Sequence, residues 1–388
     1  MAAAPKPRVR ASGHVDVLLV RTGTTPGLRQ AEVEFVRALN GLGLRVATVS
    51  TGFGLLGRLR VAFPLIDLIE GLSLRRLAVR ALRRTDARAV FFSSAGAITM
   101  QPASVLRRSA VRFDSTIERN RPGRRNAFTR LLARRAFRHA AVLLPVTPEQ
   151  VTDFSGDPRV HVLPRPVAPG PEAAGRRERA ALCYAGNPDK KGLDIAVAAW
   201  TAAAPNFPLY VTGIDAEAGR DFLRRRGVSN TANVVWLGHL DPDTHRALSA
   251  RVEIYLSAAR REEYGGVQRE ALVDGAVLVC APSAGPEQLL AIARSLDPEL
   301  VAGDFDARTL AACLTRALSM SEQDRLSYRA RAMELMSPNT RANLERILAD
   351  DVLGVLEVRT ARARGGRGQA PPVEHPARYV DEAPRRAA

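Results

Sequence analysis

The sequence contains almost no lysine. Of its 57 basic residues (Lys and Arg), only Lys6, Lys190 and Lys191 are lysines, and the last two are adjacent. A codon preference can account for the many arginines, but it does not account for two of three lysines lying side by side. The pair is therefore a candidate for a specific electrostatic role, against the common alternative of a solvated loop.

Cysteine, histidine and aromatic residues are scarce as well. Cys183, Cys280 and Cys313 are far apart and lie in apolar segments, which favours buried free thiols over disulfides or a zinc site. The six histidines never approach metal-ligand spacing, so no structural metal is expected. Because aromatic residues make up only 5% and no recognition motif accompanies the arginines, we expect no nucleic-acid partner, although a pI of 11.0 suggests one.

Long apolar runs are missing too. No stretch approaches the ~18 to 20 uncharged apolar residues of a membrane-spanning helix. The N-terminal MAAAPKPRVRASG is basic, but the HVDVLLV that follows is too short for the apolar core of a signal peptide and predicts a first strand. We therefore expect a cytoplasmic protein.

The length and the alternation of strand-like and helical runs predict the organisation of the chain. A chain of 388 residues exceeds what one hydrophobic core usually supports, so two domains are expected. Alternating strands and helices favour parallel sheets covered by helices, an α/β fold. The predicted parts are a basic leader (1–13), an N-terminal Rossmann-like domain (14–168), a Pro- and Gly-rich linker (169–180), a C-terminal domain (181–338), a final helix (339–358) and a disordered tail (359–388).

Several predicted strands of the second half end in glycine, at Gly186, Gly213 and Gly238. In open parallel sheets, ligands bind at the carboxyl ends of the strands, where backbone N–H groups at the next helix N-terminus face outward. Glycine lets a phosphate approach the backbone closely, although ordinary turns use glycine as well. The shared position, rather than any single glycine, indicates a ligand site.

Two strand ends also carry charge. After ALCYAG, the loop NPDKKG places Lys190 and Lys191 before a predicted helix, where an ammonium and the helix dipole can hold a diphosphate. After EIYLSA, the segment REEYGGVQREALVDG places Glu262 before a Gly-Gly turn and Glu270 about one turn into the next helix. One acid can reach a substrate hydroxyl and the other a ribose. A helix-dipole role is the alternative, and it suits Glu270 less well.

The order of these motifs resembles the donor domain of GT-B glycosyltransferases, in particular the retaining family GT4 (glycosyl transferases group 1). The segments are GNPDKKG, VTGID, NVVWLGHL and SAARREEYGGVQREALVDGAVLVCA, spanning about residues 181–318, and the family's E-x7-E signature is matched by Glu262 and Glu270. The resemblance implies a GT-B fold: two Rossmann-like domains with parallel sheets facing a cleft, and a C-terminal helix that crosses back to the first domain.

The resemblance also implies roles for individual residues. Glu262 would contact donor-sugar hydroxyls, Glu270 the nucleotide ribose and Lys191 the diphosphate. The family usually has arginine where Asn187 stands, so the diphosphate is expected to depend on both lysines. The further donor-binding residues that the resemblance implies are Gly186, Asn187, Lys190, Gly265, Gly266 and Val267, with the base near Gly238, His239 and Leu240.

The first half is similar to the family only in outline. RTGTTPGLRQAEVEF resembles the loop and helix in which glycine, here Gly27, approaches the donor phosphates. RFDST places Asp114 at the end of a predicted strand on the cleft side, where it would touch donor sugar or acceptor, unless it is a helix cap or part of a buried ion pair. The DPD at 241–243 and the DFD at 304–306 look like metal-binding DxD motifs, but each precedes a helical run and suits an N-cap better.

The implied reaction is retaining transfer of a sugar from a UDP- or GDP-linked donor to a hydroxyl of a glycan or lipid-linked acceptor, in the synthesis of cell-surface polysaccharide or glycoconjugates. Positive groups and helix N-termini would stabilise the leaving diphosphate, so no metal and no cofactor beyond the nucleotide sugar are expected. A catalytically weak GT-B scaffold and a protein that binds nucleic acid or another anion are the alternatives.

The basic charge is confined to the first half. Residues 1–177 carry 30 Lys or Arg against 12 Asp or Glu, a net charge of +18, whereas residues 178–388 carry 27 against 28. Segments 72–88 and 121–140 combine an apolar side with arginines and suit an anionic membrane surface at the inner face of the membrane, although the apolar sides can also pack on the sheet. The arginines expected at that surface are Arg75, Arg76, Arg83, Arg84, Arg124, Arg125, Arg134 and Arg135.

Overall fold

The computed structural model describes residues 14–22, 26–51, 63–120, 123–168, 170, 177–203 and 206–360. The predicted leader, most of the linker and all but the first two residues of the predicted tail lie outside these ranges. Within them the chain forms two parallel sheets of five strands each, the architecture that the sequence predicts.

The first sheet has the strand order β2-β1-β3-β4-β5. Its side chains alternate between two apolar layers, because successive residues of a strand point to opposite faces. Leu18 and Val20 pack beneath α2 and α5, whereas Val17 and Leu19 pack beneath α1. The elements are Val17–Arg21 (β1), Pro26–Gly41 (α1), Val46–Ser50 (β2), Phe63–Leu82 (α2), Ala89–Phe92 (β3), Ala103–Leu106 (α3), Ser109–Phe113 (β4), Ile117–Asn120 (α4), Ala127–His139 (α5) and Val142–Pro145 (β5).

The second sheet has the order β10-β9-β6-β7-β8 and one continuous core that includes Trp200 and Leu256. Cys183, Cys280 and Cys313 are free and buried, as the sequence predicts. The elements are Glu178–Tyr184 (β6), Leu193–Ala203 (α6), Leu209–Thr212 (β7), Ala216–Arg225 (α7), Val234–Gly238 (β8), Pro242–Arg251 (α8), Val252–Ser257 (β9), Gly266–Val273 (α9), Val277–Cys280 (β10), Glu287–Leu296 (α10), Ala307–Ser319 (α11) and Glu322–Leu335 (α12).

Both DxD-like motifs are helix caps. The carboxylate of Asp241 accepts the N–H groups of Asp243 and Thr244 at 3.1 and 3.0 Å, at the start of α8. Asp306 accepts the N–H of Arg308 at 2.6 Å, at the start of α11. A capping carboxylate satisfies N–H groups that have no partner within the helix, so these aspartates have a structural role.

The two basic segments form α2 and α5, and their apolar sides pack on the first sheet. Leu74, Ala78 and Ala81 of α2 are buried, as are Ala133 and Phe137 of α5. In the described part of the chain, no helix combines the length and hydrophobicity that crossing a bilayer requires.

The C-terminal segment crosses back to the first domain. Leu344, Leu348 and Val352 are buried against β1 and α1. The single helix predicted for residues 339–358 is shorter and interrupted. An α-helix, Arg341–Ile347 (α13), is followed by a π-helical turn at Leu348–Val352 and then by turns. The wider turn allows Leu348, Val352, Leu353 and Leu356 all to reach the apolar layer.

The chain thus passes between the domains twice, and the two crossings are joined at Arg165, Tyr264 and Asn339, which we call the crossing node. The Asn339 side chain donates to the carbonyl of Arg165 at 3.1 Å and to the Tyr264 hydroxyl at 2.7 Å. That hydroxyl donates to the same Arg165 carbonyl at 3.2 Å. Tyr264 belongs to the loop between β9 and α9, so this loop is fixed to both crossings.

Replacing Leu348 tests whether the C-terminal segment stabilises the first domain. Leu348→Ala removes a fully buried side chain and should lower the free energy of unfolding by about 2 to 5 kcal/mol. Val355→Ala is the control, because Val355 is 58% exposed. Urea denaturation followed by circular dichroism measures both, and equal stability of the two variants would contradict this packing.

Candidate active site

The loops after β6 and β9 meet at the carboxyl edge of the second sheet, because these strands are neighbours. The N–H of Arg260 donates to the carbonyl of Lys190 at 2.9 Å. Gly192 has a φ of +63°, and a Cβ there would overlap the carbonyl oxygen of Ala258. Glycine is therefore needed for the close approach that brings the lysine pair to the loop containing Glu262.

Two Lys–Glu pairs lie where the loops meet. The Lys191 Nζ forms an ion pair with the Glu262 Oε1, and the Lys190 Nζ lies 2.7 Å from the Glu263 Oε2. The Glu262 side chain is only 8% exposed and also accepts a hydrogen bond from the Gln268 amide at 3.3 Å. The structure thus brings together the predicted lysines and Glu262, but it pairs Lys191 directly with Glu262. Sequence reasoning missed Gln268, which lies within the recognised motif.

The Gly-Gly turn begins α9. Gly265 is the N-cap with left-handed backbone angles, φ 72° and ψ 43°, and Gly266 is the first helical residue, followed by half-buried Val267. The first N–H groups of a helix have no partner within it, so they offer donors and a positive dipole end to a ligand anion.

Glu270 lies one turn into α9 and is half-buried. Burial raises the pKa of its carboxyl, Arg246 opposes the shift and Asp274 adds to it. Among the residues that the structure describes, none donates a hydrogen bond to this carboxylate, so its oxygens are available to a ligand hydroxyl.

The C-cap residue of α9, Asp274, is hydrogen-bonded to the linker between the domains. The Asp274 carboxylate accepts the N–H of Gly170 at 2.9 Å and the Arg246 Nε at 2.8 Å. Arg246 also donates to the carbonyl of Ala168 at 2.6 Å. Glu270 and the linker attachment therefore share one short helix.

The remaining predicted donor residues lie along the same edge. Asn187 shapes the lysine loop: its side-chain oxygen accepts the N–H of Lys190 at 3.0 Å and its carbonyl accepts the N–H of Lys191 at 2.8 Å. Gly186 lies at the end of the Tyr184 ring, with no room for a Cβ. Gly238 ends β8 and is followed by exposed His239 and half-buried Leu240.

The first domain places Gly27 and Asp114 at the carboxyl ends of its strands. Gly27 lies in the first turn of α1, which follows β1. Asp114 directly follows β4, and its carboxylate, 36% exposed, accepts a hydrogen bond from the Arg165 Nη2 at 2.9 Å. The ion pair that the sequence left open for Asp114 is therefore present. It connects Asp114 to the crossing node.

The solved structures that resemble this chain include glycosyltransferases. The UDP-forming α,α-trehalose-phosphate synthase from Burkholderia xenovorans has a TM-score of 0.65 at 15% identity, over 90% of this chain and 100% of that one. The lipopolysaccharide glycosyltransferase WaaG has 0.61 at 16% identity, over 87% and 100%. Anabaena HepE, solved with UDP and glucose, has 0.61 at 13% identity, over 88% and 100%.

No protein-family model and no curated protein sequence matches the chain. The likeness is therefore one of fold. The two parallel sheets and the crossing C-terminal helix make this a GT-B glycosyltransferase fold, which confirms the predicted fold class.

The two glycines of the turn allow a matched test of this geometry. Gly265→Ala places a side chain at positive φ and against Leu289, and should lower the free energy of unfolding by about 1 to 2 kcal/mol. Gly266→Ala meets no atom within 4 Å and should change it by less than about 0.5 kcal/mol. Thermal unfolding compares the two, and a Gly266 variant as unstable as the Gly265 variant would contradict the described turn.

Proposed function

We propose that the protein is a retaining glycosyltransferase of the GT4 type that transfers a sugar from a UDP- or GDP-linked donor to a hydroxyl. One observation carries the proposal: in a GT-B fold, Lys190, Lys191, Glu262 and the available carboxylate of Glu270 converge at the carboxyl edge of the second sheet. This edge is where open parallel sheets bind nucleotides.

The proposed donor site assigns one function to each group. Glu270 accepts hydrogen bonds from the ribose hydroxyls, and the base lies near Gly238, His239 and Leu240. The N–H groups at the start of α9 and the ammonium of Lys191 face the diphosphate. When the diphosphate binds, it shares the Lys191 ammonium with Glu262, and Glu262 then accepts from the sugar hydroxyls.

The proposed chemistry is stabilisation of a leaving diphosphate. Cations and helix N-termini aimed at the developing charge lower the barrier without reorganising at the moment of reaction. We propose that these groups suffice without a divalent ion or cofactor. The carboxylate of Asp114 lies across the cleft as the candidate contact to sugar or acceptor. Retention by front-face displacement fits a site in which no protein nucleophile is assigned.

The acceptor is proposed to be a glycan or lipid-linked molecule of cell-surface polysaccharide synthesis, bound by the first domain near an anionic membrane. WaaG, a structural neighbour, is described as acting in lipopolysaccharide biosynthesis. The eight predicted arginines are all exposed and lie on α2, in the turn after it, on α5 or in the turn before α5. In the described part of the chain, only Arg134 among them has an ion pair, with Glu118.

Apolar side chains lie beside these arginines. Phe128 and Leu131 of α5 are 59% and 58% exposed, and Leu72 of α2 is 40% exposed. An open concavity of about 510 Å³ on α2 is lined by Arg75, Arg76, Val79, Arg80, Arg83 and Pro102. Exposed apolar groups flanked by exposed arginines suit the interface of an anionic bilayer, where each cation contributes roughly 1 kcal/mol.

Donor binding is tested by Glu270→Gln and Lys191→Ala. Each removes a charged partner of the nucleotide diphosphate and should weaken its binding by on the order of 1.5 to 3 kcal/mol in calorimetry. Because the pKa of Glu270 is raised, its carboxylate should be protonated, and nucleotide binding to the wild type weakened, at a higher pH than for a glutamate with an ordinary pKa. Glu270→Gln should lose that part of the pH dependence. Exposed Glu217→Ala is the control. Wild-type affinity in both site variants would refute the assignment.

Membrane binding is tested by cosedimentation with phosphatidylglycerol vesicles. The wild type should sediment at low salt and be released at high salt. Replacing Arg75, Arg76, Arg83 and Arg84 with Gln should weaken sedimentation while leaving nucleotide affinity intact. The charge-matched control replaces Arg220, Arg225, Arg308 and Arg331, all exposed on the second domain. A wild type that stays in the supernatant at low salt, or equal losses in the two variants, would exclude a membrane surface on α2.

A further inference from the structure

Two buried arginines and a third, half-buried arginine lie where the two domains meet. Arg112 is on β4 and is 5% exposed, Arg269 is on α9 and is 0% exposed, and Arg165 of the crossing node has a side chain that is 16% exposed. The guanidinium carbons of Arg165 and Arg269 lie 5.0 and 4.5 Å from the centre of the Tyr264 ring. Arginine is rarely buried without a partner for its charge.

These arginines have donors that nothing in the described residues uses. Arg112 donates from Nη1 to the carbonyl of Ala31 at 3.2 Å, but its Nε and Nη2 are buried without a partner. The Nε of Arg165 and the Nη1 of Arg269 are buried and unpartnered as well. The Arg165 Nη2 is taken by Asp114, and Arg269 uses its other nitrogens on the Tyr264 carbonyl and on Gln288.

Nearby acids balance this charge only in part. The Glu149 carboxylate interacts electrostatically with Arg269, whereas no acid among the described residues forms an ion pair with Arg112. Asp114 forms an ion pair with Arg165. Glu32 forms an ion pair with Arg21 at 2.9 Å and accepts a hydrogen bond from the Ser93 hydroxyl. Burial lowers the pKa of Arg112 to about 9, with repulsion from Arg165 as the second cause. Arg112 therefore remains a cation at neutral pH. A buried cation with unmade hydrogen bonds is costly unless an anion accompanies it.

We propose that an oxyanion, a phosphate or carboxylate group, binds between Arg112 and the stack formed by Arg165, Tyr264 and Arg269. A guanidinium edge with adjacent free Nε and Nη donors matches two oxygens of such a group. Arg112 and Asp114 are alternate residues at the end of β4 and so lie on the same side of the sheet. The guanidinium carbon of Arg112 lies 5.2 Å from the centre of the Phe35 ring of α1, and Arg165, Tyr264 and Asp114 act on its charge. The site therefore lies beside Asp114, the candidate contact to the acceptor. Its ligand is either a free anion or an acidic group of the acceptor, and the second possibility rests on the proposed function.

The test titrates inorganic phosphate into the full-length protein by calorimetry at constant ionic strength. Arg112→Met should lower phosphate affinity about ten- to a hundredfold. Two double variants control for phosphate bound elsewhere. Lys190→Ala/Lys191→Ala removes the cations of the proposed diphosphate site, and Arg75→Gln/Arg76→Gln removes cations on the surface of α2. Both should keep the Arg112-dependent phosphate binding. Arg112→Lys, which retains charge without the fork, should bind with intermediate affinity.

Thermal unfolding separates this site from a merely structural arginine. In phosphate-free buffer, Arg112→Met should unfold at the wild-type temperature or above, because it removes an unpaired buried charge, and it should lose the rise in Tm that phosphate gives the wild type. No phosphate binding to the wild type, unchanged binding in Arg112→Met, or a lower Tm with an intact phosphate response would overturn the proposal.

A second arm identifies the source of the anion. A hexose phosphate that binds more tightly than both phosphate and the plain hexose indicates the acceptor's acidic group, and equal binding of phosphate and hexose phosphate indicates a free ion. Either result supports the site. Nucleotide-diphosphate affinity is measured on the same proteins, so a failed donor site with intact Arg112-dependent phosphate binding would reject the proposed function and leave this inference standing.

Discussion

The hydrogen bonds at the Tyr264 hydroxyl set the relation between the two domains. The hydroxyl bonds to the carbonyl of Arg165 in the first crossing and to the side chain of Asn339 in the second. Tyr264 is two residues after Glu262, and its ring lies against Arg165, which in turn holds Asp114. The carboxylates on the two sides of the cleft are thus linked through one aromatic ring, and buried hydrogen bonds of this kind fix geometry because leaving them unmade is costly.

The sequence predicted the fold, and it predicted that the charged loops lie together at the carboxyl edge of the second sheet, because both depend on local patterns. Apolar runs separated by helical periodicity predict parallel strands, and the ends of such strands lie at one edge, so Lys191, Glu262 and Glu270 were expected together. The DxD-like motifs were assigned correctly as caps because N-capping is a property of the next three residues. The interruption of the final helix was not predicted, since residues 348–356 are shaped by the sheet that they cover.

What the sequence did not predict are contacts between residues far apart in the chain. The pairing of Lys191 with Glu262 joins positions 71 residues apart, and nothing in the spacing of either motif indicates that the two charges meet. The buried arginines are a clearer case. Arg112 follows three apolar or small residues of a strand and Arg269 lies in a helix, so their burial around Tyr264 depends on the docking of two domains.

The two parts of the molecule distribute charge differently. At the carboxyl edge of the second sheet the two lysines are matched by two glutamates, so in the proposed function an incoming diphosphate would meet cations that carboxylates already position. Breaking the more buried Lys191–Glu262 pair is costly, which favours ligands that share its ammonium with Glu262. On α2 the arginines have no acidic partners in the described structure, and there the counter-charge has to come from outside the fold.

The attachment of Asp274 to Gly170 and Arg246 gives α9 a mechanical consequence. Asp274 is the C-cap residue of this eight-residue helix, one turn after Glu270. In the proposed function, a nucleotide that contacts Glu270 would bind about 6 Å along the helix axis from the attachment to the linker. The angle between the domains would then contribute to the free energy of nucleotide binding, and a substitution at the linker attachment would change both.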